Sequence, residues 1–338
     1  MRVLLLGGSG LLSGAALSAF VRMGHDVHAL TRGERALLGG EHLTHLRADR
    51  TRSADLSGVL QDQRFDFTVD FLAFDAPDVD RLLAVKGFDP GRLVAISSGQ
   101  VYLVTASPKP PFREEDADRP LMREPASDTR DHGQWAYGMG KRAVEAALAR
   151  ARGANGLRAL ALRLPVVQGE EDRVGSRRLW AWIERMLDGG PVLLPEEGQQ
   201  VVRFVHAADV AEALLALAML REWPAHAALN LAQPDETTLR EFLVRVAEHA
   251  GVAPRFVSVD RARLEREGLA DSCAPYWGRW VSRPDPARAA ELLGARPRPL
   301  AEYLPGVVKA HLVPPRPQSH QGYAHRAQEI SLARALAG

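Results

Sequence analysis

Two side chains four residues apart, Tyr137 and Lys141, have the types and spacing needed to move a proton at an alcohol oxygen. Because residues i and i+4 share one face of a helix, the ammonium can lie near the phenol at the start of a predicted helix over residues 142–151. A nearby cation favours phenolate, so such a tyrosine can act as a base for an alcohol or an acid for a ketone. Upstream, a predicted strand ends in Ser97 and Ser98, whose hydroxyls would hold the reacting oxygen.

A glycine-rich turn follows the first predicted strand, and residues 7–14 read Gly-Gly-Ser-Gly-Leu-Leu-Ser-Gly. Glycines allow a tight turn and let backbone N–H groups approach a pyrophosphate at the N-terminus of the next helix. Ser13 replaces the third glycine of the dinucleotide-binding fingerprint, and serine is small enough to keep that helix close to the strand. The alternative is a glycine turn without a ligand. The residues predicted to contact a dinucleotide here are Gly7, Gly10, Leu11 and Leu12.

Two positions beyond the turn bear on the identity of the cofactor. The second predicted strand is followed by Thr31 and Arg32, about 20 residues after the turn, where an acidic side chain would hold the ribose hydroxyls of NAD. An arginine there suits a 2′-phosphate, so the sequence favours NADP over NAD. Alternatively, Arg32 is a solvated charge of the loop. Asp49, just beyond the third predicted strand, could bind the adenine amino group or could be an exposed loop aspartate.

Short β-rich runs alternate with amphipathic helical stretches in the first half of the chain. The predicted strands are residues 2–6, 26–30, 43–47, 67–72, 93–97 and 160–164. The alternation predicts an α/β fold, a Rossmann-type doubly wound parallel sheet that binds ligands at the carboxyl ends of its strands. We expect an NAD(P)-binding domain over residues 1–165, to which a segment near 200–232 returns. A smaller C-terminal substrate lobe over 166–318 and a tail helix within 319–338 complete the expected organisation.

Several motifs occur together along the chain. They are Gly7-Gly-Ser-Gly10, Ile96-Ser-Ser-Gly-Gln-Val-Tyr102, Tyr137-Gly-Met-Gly-Lys141, Leu162-Arg-Leu-Pro165, Phe204-Val-His206 and Asn230-Leu-Ala. In this order they resemble the extended short-chain dehydrogenase/reductase family, the NAD-dependent epimerase/dehydratase group. The resemblance implies that Ser98 is the catalytic serine, that Lys141 also binds the nicotinamide ribose and that the region of Pro165 lines the nicotinamide. It also implies a homodimer.

The sequence departs from this family at positions that decide the chemistry. Sugar-nucleotide 4,6-dehydratases of this family typically have Thr-Asp-Glu at the positions where this chain has Ser98, Gly99 and Gln100. Glycine and glutamine cannot transfer the protons of an elimination. Epimerases of nucleotide sugars usually have an arginine where Val202 stands, and the adjacent Arg203 would project from the other face of a strand. The sequence therefore predicts that this protein is not a 4,6-dehydratase and argues against a nucleotide-sugar substrate.

The composition argues against other classes of protein. The formal net charge is +1 and the charges are interspersed, so nothing favours a nucleic acid or an anionic membrane as partner. Cys273 is the only cysteine, which excludes an intramolecular disulfide and two-cysteine metal sites and suits a reducing cytosol. No apolar run approaches the length of about 18 residues that a membrane span needs. We expect a cytoplasmic protein with a small-molecule substrate, no metal site, no membrane contact and no nucleic-acid partner.

These observations together predict an NAD(P)-dependent oxidoreductase or epimerase that transfers hydride at a secondary alcohol or ketone of a small substrate. Tyr137 would move the alcohol proton, Ser98 would orient the oxygen and Lys141 would keep the tyrosine acidic. The alternative is a dinucleotide-sensing or RNA-associated binding protein, because residues 31–33 and 49–52 are similar to the stem-loop-RNA-binding branch of the family. The intact serine, tyrosine and lysine favour the enzyme.

Overall fold

The computed structural model describes residues 1–37, 40–173, 176–273 and 275–337. The β-strands are β1 Arg2–Leu6, β2 Asp26–Thr31, β3 Leu43–Arg47, β4 Phe67–Asp70, β5 Arg92–Ser98, β6 Arg158–Leu164, β7 Val166–Gln168, β8 Val192–Pro195, β9 Val201–Val202, β10 Phe204–His206, β11 Ala228–Asn230, β12 Thr237–Thr238 and β13 Phe256–Val259. The α-helices are α1 Leu11–Arg22, α2 Ser53–Leu60, α3 Ala76–Leu83, α4 Gln100–Leu103, α5 Arg130–Asn155, α6 Arg178–Leu187, α7 Ala207–Met219, α8 Leu239–Ala250, α9 Arg261–Arg266, α10 Ala270–Cys273, α11 Ala287–Leu293, α12 Leu300–Leu312 and α13 Arg326–Ala337. Within the described residues, none of these helices is long and apolar enough to cross a membrane.

Seven strands form one sheet in the order β11-β6-β5-β4-β1-β2-β3. Every neighbouring pair in it is parallel, as expected when helices connect the strands. The central strand β1 lies between β4 and β2, and its last residue Leu6 pairs with both Asp70 and Leu30. The carboxyl ends of these strands therefore meet at one edge, and the predicted Rossmann-type α/β fold is confirmed.

Strand β1 shows how the sheet is covered on both faces. Val3 and Leu5 belong to one buried cluster that includes residues of α1 and α7, whereas Leu4 and Leu6 belong to another that includes residues of α2. All four side chains are fully buried. Successive side chains of a strand point to opposite faces, so an uninterrupted apolar strand is the pattern that a sheet with two covered faces requires.

The chain divides into two compact units. Unit 1 comprises Met1–Val167, Val205–Pro234 and Ser282–Pro297, and it contains the seven-stranded sheet. Unit 2 comprises Gln168–Phe204, Asp235–Val281 and Arg298–Gly338. Strand β11 pairs with β6 in unit 1, at the place where the sequence indicates a returning segment. Residues 282–297, which the sequence assigns to the substrate lobe, also lie in unit 1, where the Phe112 N–H donates to the Arg283 carbonyl at 2.9 Å.

A buried ion pair holds the C-terminal helix α13 within unit 2. The Arg185 guanidinium of α6 donates to both carboxylate oxygens of Glu329 at 2.6 and 2.8 Å, and both side chains are almost completely buried. Arg326, the first residue of α13, binds the carboxylate of Asp188 at 2.6 Å. The tail helix predicted within residues 319–338 is therefore anchored to the rest of unit 2 by paired charges.

Helix α5 is longer than the sequence predicts. It spans residues 130–155 with Thr129 as its N-cap, so the predicted start at residue 142 is wrong and Tyr137 and Lys141 lie inside the helix. Glycines at positions 133, 138 and 140 weaken the helical pattern because glycine has a low helix propensity. Tertiary packing overrides this preference, since Gly138 and Gly140 lie where α5 packs closely against Val104 and Phe74.

Candidate active site

Two glycines allow α5 to bring Tyr137 and Lys141 close to the carboxyl edge of the sheet. A Cβ atom on Gly138 would lie 2.6 Å from the Val104 side chain, and one on Gly140 would overlap the carbonyl oxygen of Phe74. Real Cβ atoms do not make such contacts, so larger residues would push the helix away. The glycines between the tyrosine and the lysine thus set the depth at which α5 packs.

The Lys141 ammonium is buried at the end of the sheet. It donates hydrogen bonds to the carbonyl oxygens of Ala73 and Ile96, at 2.7 and 2.9 Å. Burial lowers the pKa of this lysine to about 8, because water no longer solvates the charge. The Nζ atom lies 5.8 Å from the centroid of the Tyr137 ring. The predicted proximity of lysine and tyrosine is present, although the hydrogen bonds described for the ammonium go to main-chain carbonyls.

The geometry separates the roles of the two serines at the end of β5. Ser97 is buried and donates a 2.5 Å hydrogen bond to Glu145 on α5, so its hydroxyl is used within the protein. Ser98 is less buried, and its Oγ accepts a hydrogen bond from the Gln100 N–H at 3.2 Å. The Tyr137 side chain is 39% exposed. Of the two serines, Ser98 is therefore the more accessible.

Gly99 has no room for a side chain. A Cβ atom at this position would overlap Oγ of Ser282 and lie 2.5 Å from its Cβ. The backbone at Gly99 is also fixed, because its N–H donates to the carbonyl of Leu164 at 2.8 Å. The position at which dehydratases of the family have a carboxylate is therefore closed to one in this packing.

A side-chain amide pair lies beside these residues. The Gln100 amide donates to Oε1 of Gln134 at 2.8 Å, which connects α4 to the first turns of α5. Gln134 lies three residues before Tyr137 and therefore on the same face of the helix. An amide pair can orient a polar substrate group but cannot exchange protons near neutral pH.

A cavity of about 450 Å³ opens at the carboxyl edge of unit 1. Four predicted cofactor residues line it together, and they are Gly7, Gly10, Arg32 and Asp49. Phe74 lines the same cavity, and its ring also lies against Lys141. A cavity of this size at the carboxyl ends of parallel strands is the usual place for a ligand in such folds.

The glycine turn has a backbone form that favours glycine. Gly7 has φ of +121°, a conformation that L side chains rarely adopt, and a Cβ atom there would meet Ser13 at 3.1 Å. Ser13 itself is buried, and its Oγ accepts a hydrogen bond from the Gly10 N–H at 3.1 Å. Leu11 and Leu12 begin α1, where N–H groups have no partner within the helix. These residues fit a pyrophosphate, with serine in place of the third glycine.

Arg32 and Asp49 lie on the outer part of the cavity. The Arg32 side chain is 65% exposed and pairs with the equally exposed Glu34 at 3.1 Å. Asp49 accepts hydrogen bonds from the N–H and the hydroxyl of Thr51 at 2.9 and 2.7 Å, and these bonds lower the pKa of its carboxyl group. Both residues line the cavity.

Arg50 is a cavity residue that no sequence signal predicts. It is buried, and its guanidinium donates to the Asp70 carboxylate at 2.5 Å and to the Asp78 carbonyl at 2.8 Å. Its Nε has no hydrogen-bond partner among the residues that the structure describes. The two partners lie 20 and 28 residues away along the chain, so only the folded structure brings them together.

A second charge network, behind the site, fixes α5 on the sheet. Arg163 of β6 binds Glu145 of α5 through two hydrogen bonds at 2.6 and 2.9 Å and also donates to the Tyr102 hydroxyl at 2.9 Å. The Tyr102 hydroxyl in turn donates to Asn230 at 2.6 Å. Tyr102 is therefore buried and structural, and burial raises the pKa of its phenol. Pro165 directly follows the strand that carries Arg163.

Three comparisons with known proteins bear on this site. The model of the NAD dependent epimerase/dehydratase family matches residues 79–232. A 2′-dehydrokanamycin reductase from Streptomyces kanamyceticus is 28% identical over 280 residues, which cover 80% of this chain and 73% of the reductase.

Solved structures of similar fold include a UDP-glucose 4-epimerase from Thermus thermophilus in complex with NAD, with a TM-score of 0.67 and 21% identity. It is matched over 92% of this chain and 98% of its own. A dTDP-glucose 4,6-dehydratase from Streptomyces venezuelae with bound NAD has a TM-score of 0.68 and 19% identity, over 92% of this chain and 97% of its own. At these identities the likeness establishes the fold.

The ordered motifs, the family match and the alignment with a reductase agree with one another. They confirm the resemblance recognised in the sequence and the expectation of an enzyme. Residues 79–232 of this chain match the NAD dependent epimerase/dehydratase family, and the chain resembles the extended short-chain dehydrogenase/reductase enzymes.

Proposed function

We propose that this protein is an NAD(P)-dependent oxidoreductase that interconverts a ketone and a secondary alcohol in a small substrate, with Ser98, Tyr137 and Lys141 as its catalytic residues. When bound, the dinucleotide supplies or accepts the hydride. Tyr137 gives a proton to the carbonyl oxygen during reduction or takes it back during oxidation. Ser98 Oγ donates a hydrogen bond to the same oxygen, and Lys141 favours the phenolate form of the tyrosine.

One observation carries this proposal. The 39% exposed Tyr137 lies beside a Lys141 that is almost completely buried. Phe74, which contacts both, lines a cavity together with the glycine turn. With a pKa of about 8, the lysine carries its charge at neutral pH, which is the state that supports a tyrosine acting as acid or base. The charge costs free energy to bury, so a purely structural lysine at this position has no obvious advantage.

We propose NADP as the favoured cofactor, with NAD as the alternative. Arg32 directly follows β2 and lines the cavity with an exposed side chain, which suits the 2′-phosphate of NADP. Its present partner Glu34 is as exposed as Arg32 itself, and such surface pairs contribute at most about 1 kcal/mol. A phosphate can therefore replace the glutamate at little cost. Asp49 would bind the adenine amino group, and the region of Pro165 would line the nicotinamide.

We propose net reduction of a ketone in preference to sugar-nucleotide dehydration. The closed position at Gly99 and the amide of Gln100 leave no carboxylate for an elimination at these two positions. The alignment with a reductase of a dehydrogenated aminoglycoside favours a cyclic keto sugar or amino sugar as the first substrate class to test. Transient oxidation within an epimerisation stays the alternative, and the homodimer implied by the family stays a prediction for sedimentation analysis.

A turnover assay tests this function. The purified protein is mixed with NADPH or NADH and a panel of cyclic ketones, 2′-dehydrokanamycin and nucleotide-linked keto sugars, and loss of the reduced nicotinamide is followed by absorbance. We expect oxidation of NADPH with at least one free keto sugar or aminoglycoside ketone, at a rate that Tyr137→Phe lowers by about 10²-fold or more. Turnover that is unchanged in Tyr137→Phe would contradict the assigned role of the tyrosine.

A binding protein that associates with RNA is the second candidate. The observation in its favour is that Arg32, which lines the cavity, and Arg52 both expose more than half of their side chains. Phosphate contacts make the affinity for RNA fall steeply with salt concentration. A salt-sensitive complex with stem-loop RNA, together with no turnover of any ketone, would place this candidate first.

A further inference from the structure

Phe74 is a large apolar side chain that remains 52% exposed at a ligand cavity. Exposed aromatic groups in a concave site commonly contact a ligand or cover a polar group. Phe74 follows β4 and the Ala73 carbonyl that accepts a hydrogen bond from Lys141. It is not part of any motif used to predict the site.

The backbone of Phe74 is held on both sides. Its N–H donates to the Asp78 carboxylate at 2.8 Å, and its carbonyl lies against Gly140, where a Cβ atom would overlap it. Gly140 immediately precedes Lys141. The position of the phenyl ring is therefore set by contacts with the same helix turn that carries the lysine.

The ring covers the ammonium. Its centroid lies 4.6 Å from Nζ of Lys141, within the range of a cation–π interaction, and 6.4 Å from the centroid of the Tyr137 ring. Two of the three N–H donors of the ammonium are used by the Ala73 and Ile96 carbonyls. One side of Phe74 thus faces the lysine and tyrosine, and the residue also forms part of the cavity wall.

We propose that Phe74 is a positioning residue of this site, whose ring separates the dinucleotide cavity from Lys141 and keeps water away from the ammonium that serves Tyr137. The proposal rests on the proposed function for the role of the cavity and of the lysine. Without the ring, water from the cavity reaches Nζ, and the titration of Lys141 becomes more like that of an exposed lysine. A leucine keeps an apolar cover of similar size at the same place.

The test uses the four lysines of the chain as internal references. Lys86, Lys109 and Lys309 are exposed, whereas Lys141 is 2% exposed. Trace labelling with acetic anhydride over a series of pH values, read by mass spectrometry of peptides, gives the reactivity and the titration midpoint of each amine. We compare the wild type with Phe74→Ala and Phe74→Leu, and melting curves check that each variant is folded.

We expect Phe74→Ala to raise the titration midpoint of Lys141 by about one pH unit, a tenfold decrease in free amine at neutral pH. The three reference lysines should not change, and Phe74→Leu should stay close to wild type. Identical midpoints and reactivities of Lys141 in all three folded proteins would overturn the proposal. Labelling with saturating NADPH separates the two claims. If the midpoint of Lys141 rises in Phe74→Ala but NADPH changes the labelling of none of the proteins, the role of Phe74 as a cover of Lys141 is supported. The same result contradicts the proposed function, which depends on the dinucleotide.

Discussion

A Cβ atom on Gly99 would overlap Oγ of Ser282, although the two residues are 183 positions apart in the sequence. The contact brings residues 282–297 against the end of β5, where the candidate catalytic serine lies. It also explains in steric terms why this chain has glycine where 4,6-dehydratases of the family have a carboxylate. The chemistry of the site is thus restricted by packing from a distant segment.

This contact predicts how substitutions at position 99 behave. Gly99→Ala should lower the free energy of unfolding by about 1–3 kcal/mol, the usual cost of overpacking. Ser282→Gly removes the overlapping Oγ and Cβ atoms, so the double variant should recover much of the loss. Urea unfolding of the two single variants and the double variant measures the coupling. Additive effects of the two substitutions would show that the contact does not limit position 99.

Replacement of the tyrosine should separate binding from chemistry. Tyr137→Phe removes the hydroxyl that moves the proton, so we expect kcat to fall by about 10²- to 10⁴-fold. The affinity for NADPH should stay close to that of wild type, because the residues assigned to the dinucleotide are elsewhere. Stopped-flow turnover and fluorescence titration of the same preparation give both values. Loss of NADPH binding in parallel with kcat would instead indicate that the substitution disrupts the site as a whole.

The buried lysine should make stability depend on pH. Burial lowers the pKa of Lys141 to about 8 from its ordinary value of 10.5, so the unfolded chain binds more protons between these pH values. The contribution of Lys141 to the free energy of unfolding therefore rises as the pH increases through this range. Relative to Lys141→Met, the wild type should gain about 3 kcal/mol from pH 8 to pH 10.5.

Denaturant unfolding of both proteins at each pH provides the measurement. Lys109→Met is a matched control because Lys109 is exposed. Its difference from wild type should not vary with pH. If the difference in free energy of unfolding between wild type and Lys141→Met also does not vary with pH, the burial of a charged lysine is contradicted.

The ion pair between Arg185 and Glu329 predicts strong coupling within unit 2. Glu329→Gln leaves a buried guanidinium without its counter-charge, which typically costs about 3–5 kcal/mol. Arg185→Met with Glu329→Leu replaces both charges by apolar groups and should cost much less than either single change. A double-mutant cycle measured by denaturant unfolding gives the coupling energy. A coupling energy close to zero would mean that the ion pair does not stabilise the packing of α13 in unit 2.

The sequence predicts the parts of this structure that depend on local pattern. The alternation of short β-rich runs with helical stretches, the glycine turn and the Tyr137 and Lys141 pair are each recognisable within a few residues. The parallel sheet follows from the first of these patterns. The beginning of α5 cannot be predicted from the sequence, because the glycines at 138 and 140 have a low helix propensity. The packing of the helix nevertheless requires them. Contacts between segments that are far apart in the sequence cannot be predicted from local pattern either. Ser282, Arg50 and Phe74 make such contacts at the site.

In the proposed function, the cavity at the glycine turn binds a nicotinamide dinucleotide and Arg32 selects NADP. The most direct test is a fluorescence titration of wild type, Arg32→Ala and the control Arg22→Ala with NADPH and with NADH. We predict tight binding of NADPH that Arg32→Ala weakens by more than it weakens NADH, while Arg22→Ala, at the far end of α1, has no effect. Failure of the wild type to bind either dinucleotide would contradict the account of this protein as an enzyme.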